Sequence, residues 1–104
     1  MPERGVDQIF MALADPTRRE VVRRLAEGPA TPSDLADDLP VTRQAVSKHL
    51  EVLRGAGLVS SARAGREHRY TLTPGPMADA VSWMTSVGGR WDGRLAALRR
   101  QVGR

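Results

Sequence analysis

Apolar residues recur every three or four positions in five segments of the chain and alternate with polar residues in a sixth. The first spacing is typical of an amphipathic helix, and the alternation is typical of a half-buried β-strand. Asp15, Thr31 and Thr42 stand just before helical segments, where short polar side chains cap the first backbone N–H groups. The pattern predicts a mainly α chain with a hairpin near residues 58–72 and helices near residues 5–14, 16–27, 32–39, 43–55 and 76–102.

The predicted helix at residues 43–55 has two chemically opposite faces. At about 100° per residue, one face collects the side chains that can be buried: Ala45, Val46, His49, Leu50, Val52, Leu53 and Ala56. The other face is polar and consists of Arg43, Gln44, Ser47, Lys48, Glu51 and Arg54. Its guanidinium, amide, hydroxyl and ammonium groups can read base edges in a major groove, although a solvated amphipathic helix would show the same face. The short turn at Pro40 and Val41, which joins this helix to the preceding one, gives the spacing of a helix-turn-helix.

Two short alternating segments, residues 58–63 and 67–72, follow that helix and predict a β-hairpin. Its basic side chains suit the minor groove or a flanking phosphate, as the wing of a winged helix does. A charged edge hairpin that only discourages aggregation is the alternative interpretation. The basic residues of this predicted wing are Arg63, Arg66 and Arg69.

The last predicted helix, near residues 76–102, has an apolar seam whose members are three or four residues apart. A seam sustained over more than three heptads is typical of a helix that pairs with a partner helix. We therefore predict pairing with a second copy of the chain, with packing inside one chain as the alternative. Gly88 and Gly89 leave open whether the helix breaks. The seam consists of Met77, Val81, Met84, Val87, Trp91, Leu95, Leu98 and Val102.

Composition and charge narrow the function classes. The 104 residues have no cysteine and a net charge of +4, so disulfides, thiolate metal ligands and thiol nucleophiles are excluded. Residues 26–39 hold four acids and no base, whereas residues 40–69 hold six bases and two acids, so the basic surface is local. No cluster of acids, histidines or phosphate-binding glycines suggests an enzyme. Without a signal peptide or membrane span, a soluble cytoplasmic protein with one domain, residues 1–104, is expected.

The chain resembles small winged-helix regulators of the ArsR/SmtB family. The resemblance rests on three segments in the family's order and spacing: ALADPTRREVVRRLAEGP, DLADDLPVTRQAVSKHLEVLRGAGLV and AGREHRYTL. It implies a homodimer, joined through its first and last helices, that binds an inverted-repeat operator on double-stranded DNA. It also implies repression of transcription until an effector, such as a small molecule that no residue set here identifies, releases the DNA. A winged-helix module that binds protein or RNA is the alternative function.

Residues are assigned to these roles by the spacing described above and by the resemblance. The candidate DNA-binding residues are Thr42, Arg43, Gln44, Ser47, Lys48, Thr31, Ser33, Arg63, Arg66 and Arg69. The candidate dimer interface consists of Val6, Phe10, Met77, Val81, Met84, Val87, Trp91, Leu95 and Leu98. Metal-sensing members of the family carry a Cys pair in the third helix, or Asp, His and Glu ligands on the last helix. Because this chain has neither set, no metal and no cofactor is expected.

Overall fold

The structure, a computed structural model, describes the backbone of residues 2–102 and the side chains of residues 5–90, 93, 94 and 96–100. Within these residues the chain forms five helices and one two-stranded antiparallel sheet. This confirms the predicted mainly α, winged helix-turn-helix fold with a hairpin wing and a long C-terminal helix. The elements are α1 (Pro2–Leu13), α2 (Pro16–Leu25), α3 (Pro32–Asp38), α4 (Arg43–Gly55), β1 (Val59–Ala64), β2 (Glu67–Leu72) and α5 (Pro74–Val102).

The starts of α2, α3 and α4 are fixed by the three caps that the sequence predicts. The Asp15 carboxylate accepts hydrogen bonds from the backbone N–H groups of Thr17 at 2.7 Å and Arg18 at 3.2 Å. The Thr42 hydroxyl accepts one from the N–H of Ala45 at 3.1 Å. At α3, Thr31 and Asp34 each accept a hydrogen bond from the other's backbone N–H, which is a complete capping box. These bonds satisfy N–H groups that the first turn of a helix leaves unpaired.

The core forms where α4 meets the other elements. Val46, Leu50 and Leu53 of α4 are fully buried, as the apolar arc predicts. They belong to a cluster with buried residues of α1, α2, α3, β1 and α5, including Ile9, Val21, Leu35, Val59 and Ala80. The prediction for Val52 was wrong, because its side chain is 44% exposed. Val52 lies about 180° around the helix from Arg43, at the very edge of the arc, where the core no longer covers it.

The wing is anchored at its base and projects at its tip. Strands β1 and β2 pair from Val59 with Leu72 to Ala64 with Glu67, which leaves a two-residue turn. Gly65 in this turn has a φ of +67°, a left-handed conformation that glycine adopts without a Cβ penalty. At the other side of β2, Tyr70 exchanges two backbone hydrogen bonds with Ala30, at 2.8 and 3.1 Å. Ala30, two residues before the start of α3, is thereby tied to the wing.

Helix α5 is one continuous helix of 29 residues, so Gly88 and Gly89 do not break it. Its first turns pack on the protein through the buried Ala80 and the half-buried Met77, and it also contacts α1. Phe10 of α1 and Trp83 of α5 make an edge-to-face contact with ring centroids 5.6 Å apart. At about 1.5 Å per residue, α5 extends well beyond the core. No helix in the described part of the chain combines the length and apolar character needed to cross a bilayer.

Candidate nucleic-acid interface

The polar face of α4 lies open on the surface beside the wing. Gln44, Ser47 and Lys48 are all exposed. Together with Glu51 and Tyr70, they line a shallow depression of about 540 Å³ between α4 and β2. The prediction that these three α4 residues share one accessible face is therefore confirmed. The depression offers an amide, a hydroxyl and an ammonium group side by side, which are the hydrogen-bonding groups that read base edges.

Tyr70 lines the depression, although the sequence did not indicate it as a candidate site residue. Its half-buried side chain packs against the core and also lines the depression against α4. Its backbone bridge to Ala30 fixes β2 against the start of α3. The strand that forms one wall of the depression is therefore fixed against the start of α3, and α3 in turn packs against α4. Only the tertiary pairing of β2 could have indicated this.

The first residue of α4 is held by a carboxylate from the wing. Arg43 Nη2 lies 2.9 Å from Glu67 Oε1, the first residue of β2. The same oxygen accepts hydrogen bonds from the Ser33 hydroxyl at 2.9 Å and from the Ser33 backbone N–H at 3.3 Å. One carboxylate oxygen thus joins α3, α4 and the wing. The structure brings together the predicted residues Ser33 and Arg43, but it does so around an acid that sequence reasoning had not selected.

Thr31, the other predicted residue at the start of α3, is only 9% exposed. Its hydroxyl already accepts a hydrogen bond from the backbone N–H of Asp34 at 3.2 Å. The Asp34 carboxylate in turn accepts one from the Thr31 N–H at 3.1 Å, and this bond is the main reason that the pKa of Asp34 lies below its ordinary value. Thr31 therefore fixes the start of α3 and offers little surface to a ligand.

The predicted basic residues of the wing do not share one face. Arg63 pairs across the sheet with His68, and Arg69 pairs with Ala62. Since successive pairs alternate between the two faces of a hairpin, Arg63 and Arg69 project from opposite faces. Arg66 lies in the turn and is exposed, while Arg63 Nε donates to the carbonyl of Gly65 at 3.2 Å. The tip of the wing is consequently basic on both sides.

The arginines of α2 do not extend this surface. Arg18 Nε donates to the carbonyl of Ala12 at 2.5 Å, and Arg19 Nη1 donates to the carbonyl of Leu13 at 2.7 Å, at the C-terminal end of α1. Arg24 Nε lies 2.7 Å from an oxygen of Asp38, and this hydrogen bond raises the pKa of Arg24 above its ordinary value. These side chains join helices to one another. The sequence showed only that they were basic and on the polar side of α2.

No three potential metal-ligating side chains come together within the described residues.

The residues of the predicted dimer interface differ in exposure. Val6 is 5% exposed and Met77 packs against the core, so both face their own chain. Val81 and Met84 are about half exposed on the first half of α5, and Leu98 is 56% exposed near its end. Val87 is half-buried, whereas the predicted interface side chains of Trp91 and Leu95 lie outside the described residues.

Comparisons with known proteins agree with this arrangement. A family model described as a helix-turn-helix domain matches residues 13–62. The HTH-type transcriptional regulator Rv2034 of Mycobacterium tuberculosis is 51% identical over 75 residues, which cover 72% of this chain and 70% of the relative. An ArsR-like transcriptional regulator from Rhodococcus sp. RHA1 superposes with a TM-score of 0.79 at 37% identity, covering 96% of this chain and 94% of that one. The chain belongs to the ArsR/SmtB family.

A second relative points to the same activity. The transcriptional repressor SdpR of Bacillus subtilis is 30% identical over 86% of this chain and 100% of its own length. As an ArsR/SmtB regulator, the protein is a DNA-binding transcriptional repressor and not an enzyme. The family assignment made from the three sequence segments is confirmed.

Proposed function

We propose that this ArsR/SmtB regulator binds an inverted-repeat operator as a homodimer in the cytoplasm and inserts α4 of each subunit into a major groove. The observation that supports this best is the open polar face of α4, where Gln44, Ser47 and Lys48 line one depression. Gln44 lies in the first turn of α4, which is the part of a recognition helix that reaches base edges. A glutamine amide can pair with both N6 and N7 of adenine.

The wing would contact DNA beside the recognition helix. Arg66 in the turn is exposed at the tip, where it can reach a minor groove or a flanking phosphate. Such contacts position the protein, whereas contacts from α4 to base edges select the sequence. Thr42 and Ser47, with their short hydroxyl side chains, would add hydrogen bonds to the DNA near the start of α4.

Dimerisation would take place through α1 and α5. The family is generally dimeric, and α5 leaves Val81, Met84 and Leu98 about half exposed along its length. Met11 on the neighbouring α1 is 73% exposed. Burying these side chains against a second copy would remove apolar surface from water at about 25 cal/mol per Å². Two-fold symmetry would then place two recognition helices about 34 Å apart, one turn of DNA.

Operator binding is tested with fragments selected from genomic DNA by the purified protein. In a fluorescence anisotropy titration, Gln44→Ala and Lys48→Ala should each weaken binding by about 1–3 kcal/mol per subunit contact. Gln44→Ala should also relax discrimination at one base pair. Arg54→Ala is the matched control for Lys48→Ala: Arg54 is exposed in the last turn of the same helix but does not line the depression, so its loss should weaken binding of operator and other DNA alike. Wild-type affinity and specificity in both variants would assign DNA reading to another face. Equal binding of RNA, or of a protein in place of DNA, would favour an interaction module.

The dimer is tested by sedimentation velocity at micromolar concentration, where the wild type should have twice the chain mass. Met84→Glu places a charge on the exposed apolar side of α5 without entering the core, so it should give a folded monomer with weak operator binding. Ser86→Glu, two residues further along the same helix and also exposed, should remain dimeric. A monomeric wild type would refute the proposal.

A further inference from the structure

The Arg43–Glu67 ion pair places a negative charge inside the surface that should attract DNA. Only two acids, Glu51 and Glu67, lie among the six bases of residues 40–69. Glu51 makes no salt bridge within the described part of the chain, whereas Glu67 is engaged with both Arg43 and Ser33. An acid near bound phosphates weakens binding by direct repulsion. The position of Glu67 is therefore explained only by a contribution that offsets this repulsion.

A contribution of the Arg43–Glu67 pair to the stability of the fold does not explain it. The Arg43 side chain is 61% exposed, although that of Glu67 is only 21% exposed, and an ion pair with one partner open to water adds little to stability. The Ser33 hydrogen bonds alone would join α3 to the wing, and a neutral amide could accept them as well. What the carboxylate adds is the orientation and partial neutralisation of one guanidinium at the first turn of α4.

That guanidinium lies where it can either read a base or bind a phosphate. An arginine has five N–H donors in a rigid fork, and Nη2 alone is engaged by Glu67. The remaining donors can still form the bidentate pair with guanine. An unrestrained arginine binds the nearest phosphate of any sequence, which adds affinity without specificity.

We propose that Glu67 is a positioning residue that raises the ratio of operator affinity to non-specific affinity. Its carboxylate orients Arg43 toward base edges and disfavours the capture of Arg43 by a phosphate. This inference rests on the proposed insertion of α4 into the major groove. It assigns a role in DNA recognition to Glu67, which does not itself contact DNA and acts through Arg43.

Glu67→Gln isolates the charge, because the amide oxygen can still accept both hydrogen bonds from Ser33. Non-specific DNA should bind more tightly, and the slope of log K against log salt should steepen by about 0.9 per subunit for one added phosphate contact. Operator affinity should stay the same or fall, because Arg43 loses its orientation. The ratio of the two affinities should therefore fall about fivefold or more, which is the low end of what one good base contact supplies. Thermal unfolding of the variant checks that the fold is retained.

Asp37→Asn is the control, since it also removes one negative charge, from an exposed residue of α3 that makes no salt bridge within the described residues and lies outside the depression. It should tighten operator and non-specific DNA alike and keep their ratio within about twofold, as a general change in charge does. In an Arg43→Ala background, Glu67→Gln should leave the ratio unchanged. An unaltered ratio in Glu67→Gln, a fall equal to that in Asp37→Asn, or a fall that persists without Arg43 would overturn the proposal.

The outcomes separate this inference from the proposed function. If Gln44→Ala weakens operator binding but Glu67→Gln leaves the ratio unchanged, only the role of Glu67 fails. If wild-type protein does not distinguish operator from other DNA, the assignment of the α4 face fails first. Should Glu67→Gln not fold, Arg43→Lys tests the same contact, because lysine keeps the charge but lacks the fork. An unchanged ratio in Arg43→Lys would then overturn the proposal.

Discussion

Replacing Arg18 with Met should destabilise the protein by about 1.5–3 kcal/mol, the usual range for a hydrogen bond made by a charged group. The Arg18 side chain is 18% exposed, and its Nε donates to the Ala12 carbonyl at 2.5 Å. That carbonyl is in the last turn of α1, where backbone acceptors have no partner inside the helix. The Arg18 contact to Asp15 at 3.9 Å should add little, because it is long and partly exposed. Methionine retains most of the apolar stem of Arg18, so the loss should come mainly from the hydrogen bond.

The assay is thermal and urea unfolding of both proteins at one fixed chain concentration, since dimer stability depends on concentration. At about 4 °C per kcal/mol for a chain of this size, Tm should fall by about 6–12 °C. Arg23→Met is the matched control. Arg23 is on the same helix, is 67% exposed and, among the described residues, pairs with the exposed Glu20, so its replacement should change stability by less than about 0.5 kcal/mol. Equal destabilisation by the two substitutions would show that the Ala12 contact does not stabilise the junction of α1 and α2.

Two further predictions concern the caps and the core. The pKa values of Asp15 and Asp34 lie below the ordinary value of 3.8, chiefly because the Arg18 and Thr31 N–H groups hydrogen-bond to them. A carboxylate with a lowered folded-state pKa stabilises the fold fully above its unfolded pKa, so the urea midpoint should drop as pH falls below about 4. A pH dependence in Asp15→Asn and Asp34→Asn equal to that of the wild type would refute this. Leu50→Ala should lower the free energy of unfolding by about 2–5 kcal/mol because Leu50 is fully buried. Val52→Ala, at a position 44% exposed, should lower it far less, and similar losses for the two variants in urea unfolding would place Val52 in the core.

The elements were predictable from the sequence because local chemistry determines them. Asp15, Thr31 and Thr42 start their helices through hydrogen bonds to residues two or three positions away. Gly57, with a φ of +78°, follows α4 and ends it in a left-handed conformation. Bounds shifted where no such signal exists. Helix α1 begins at Pro2 and not near residue 5, and the wing turn has two residues where three were expected.

The partners of polar side chains were not predictable, because they depend on tertiary contacts. Ser33 and Glu67 are separated by 34 positions, and nothing local indicates that they meet. Arg18 and Arg19 are neighbouring bases near the start of α2, yet both bind carbonyl groups of α1. In each case the side chain was correctly placed on a helix, but its partner lies on another element. Periodicity gives the direction of a side chain and not what it meets there.

This difference changes the electrostatic interpretation of the surface. A count of bases from the sequence overstates the charge that DNA can meet, because Arg18, Arg19 and Arg24 bind other parts of the chain and Arg43 is partly neutralised by Glu67. Within the described residues, the bases near the α4 face and wing that make no salt bridge are Lys48, Arg54, Arg63, Arg66 and Arg69. Each phosphate neutralised contributes about 0.9 to the salt dependence of binding. Non-specific affinity should therefore be modest for so arginine-rich a chain, and sequence recognition must rest on a few well-oriented groups at the start of α4.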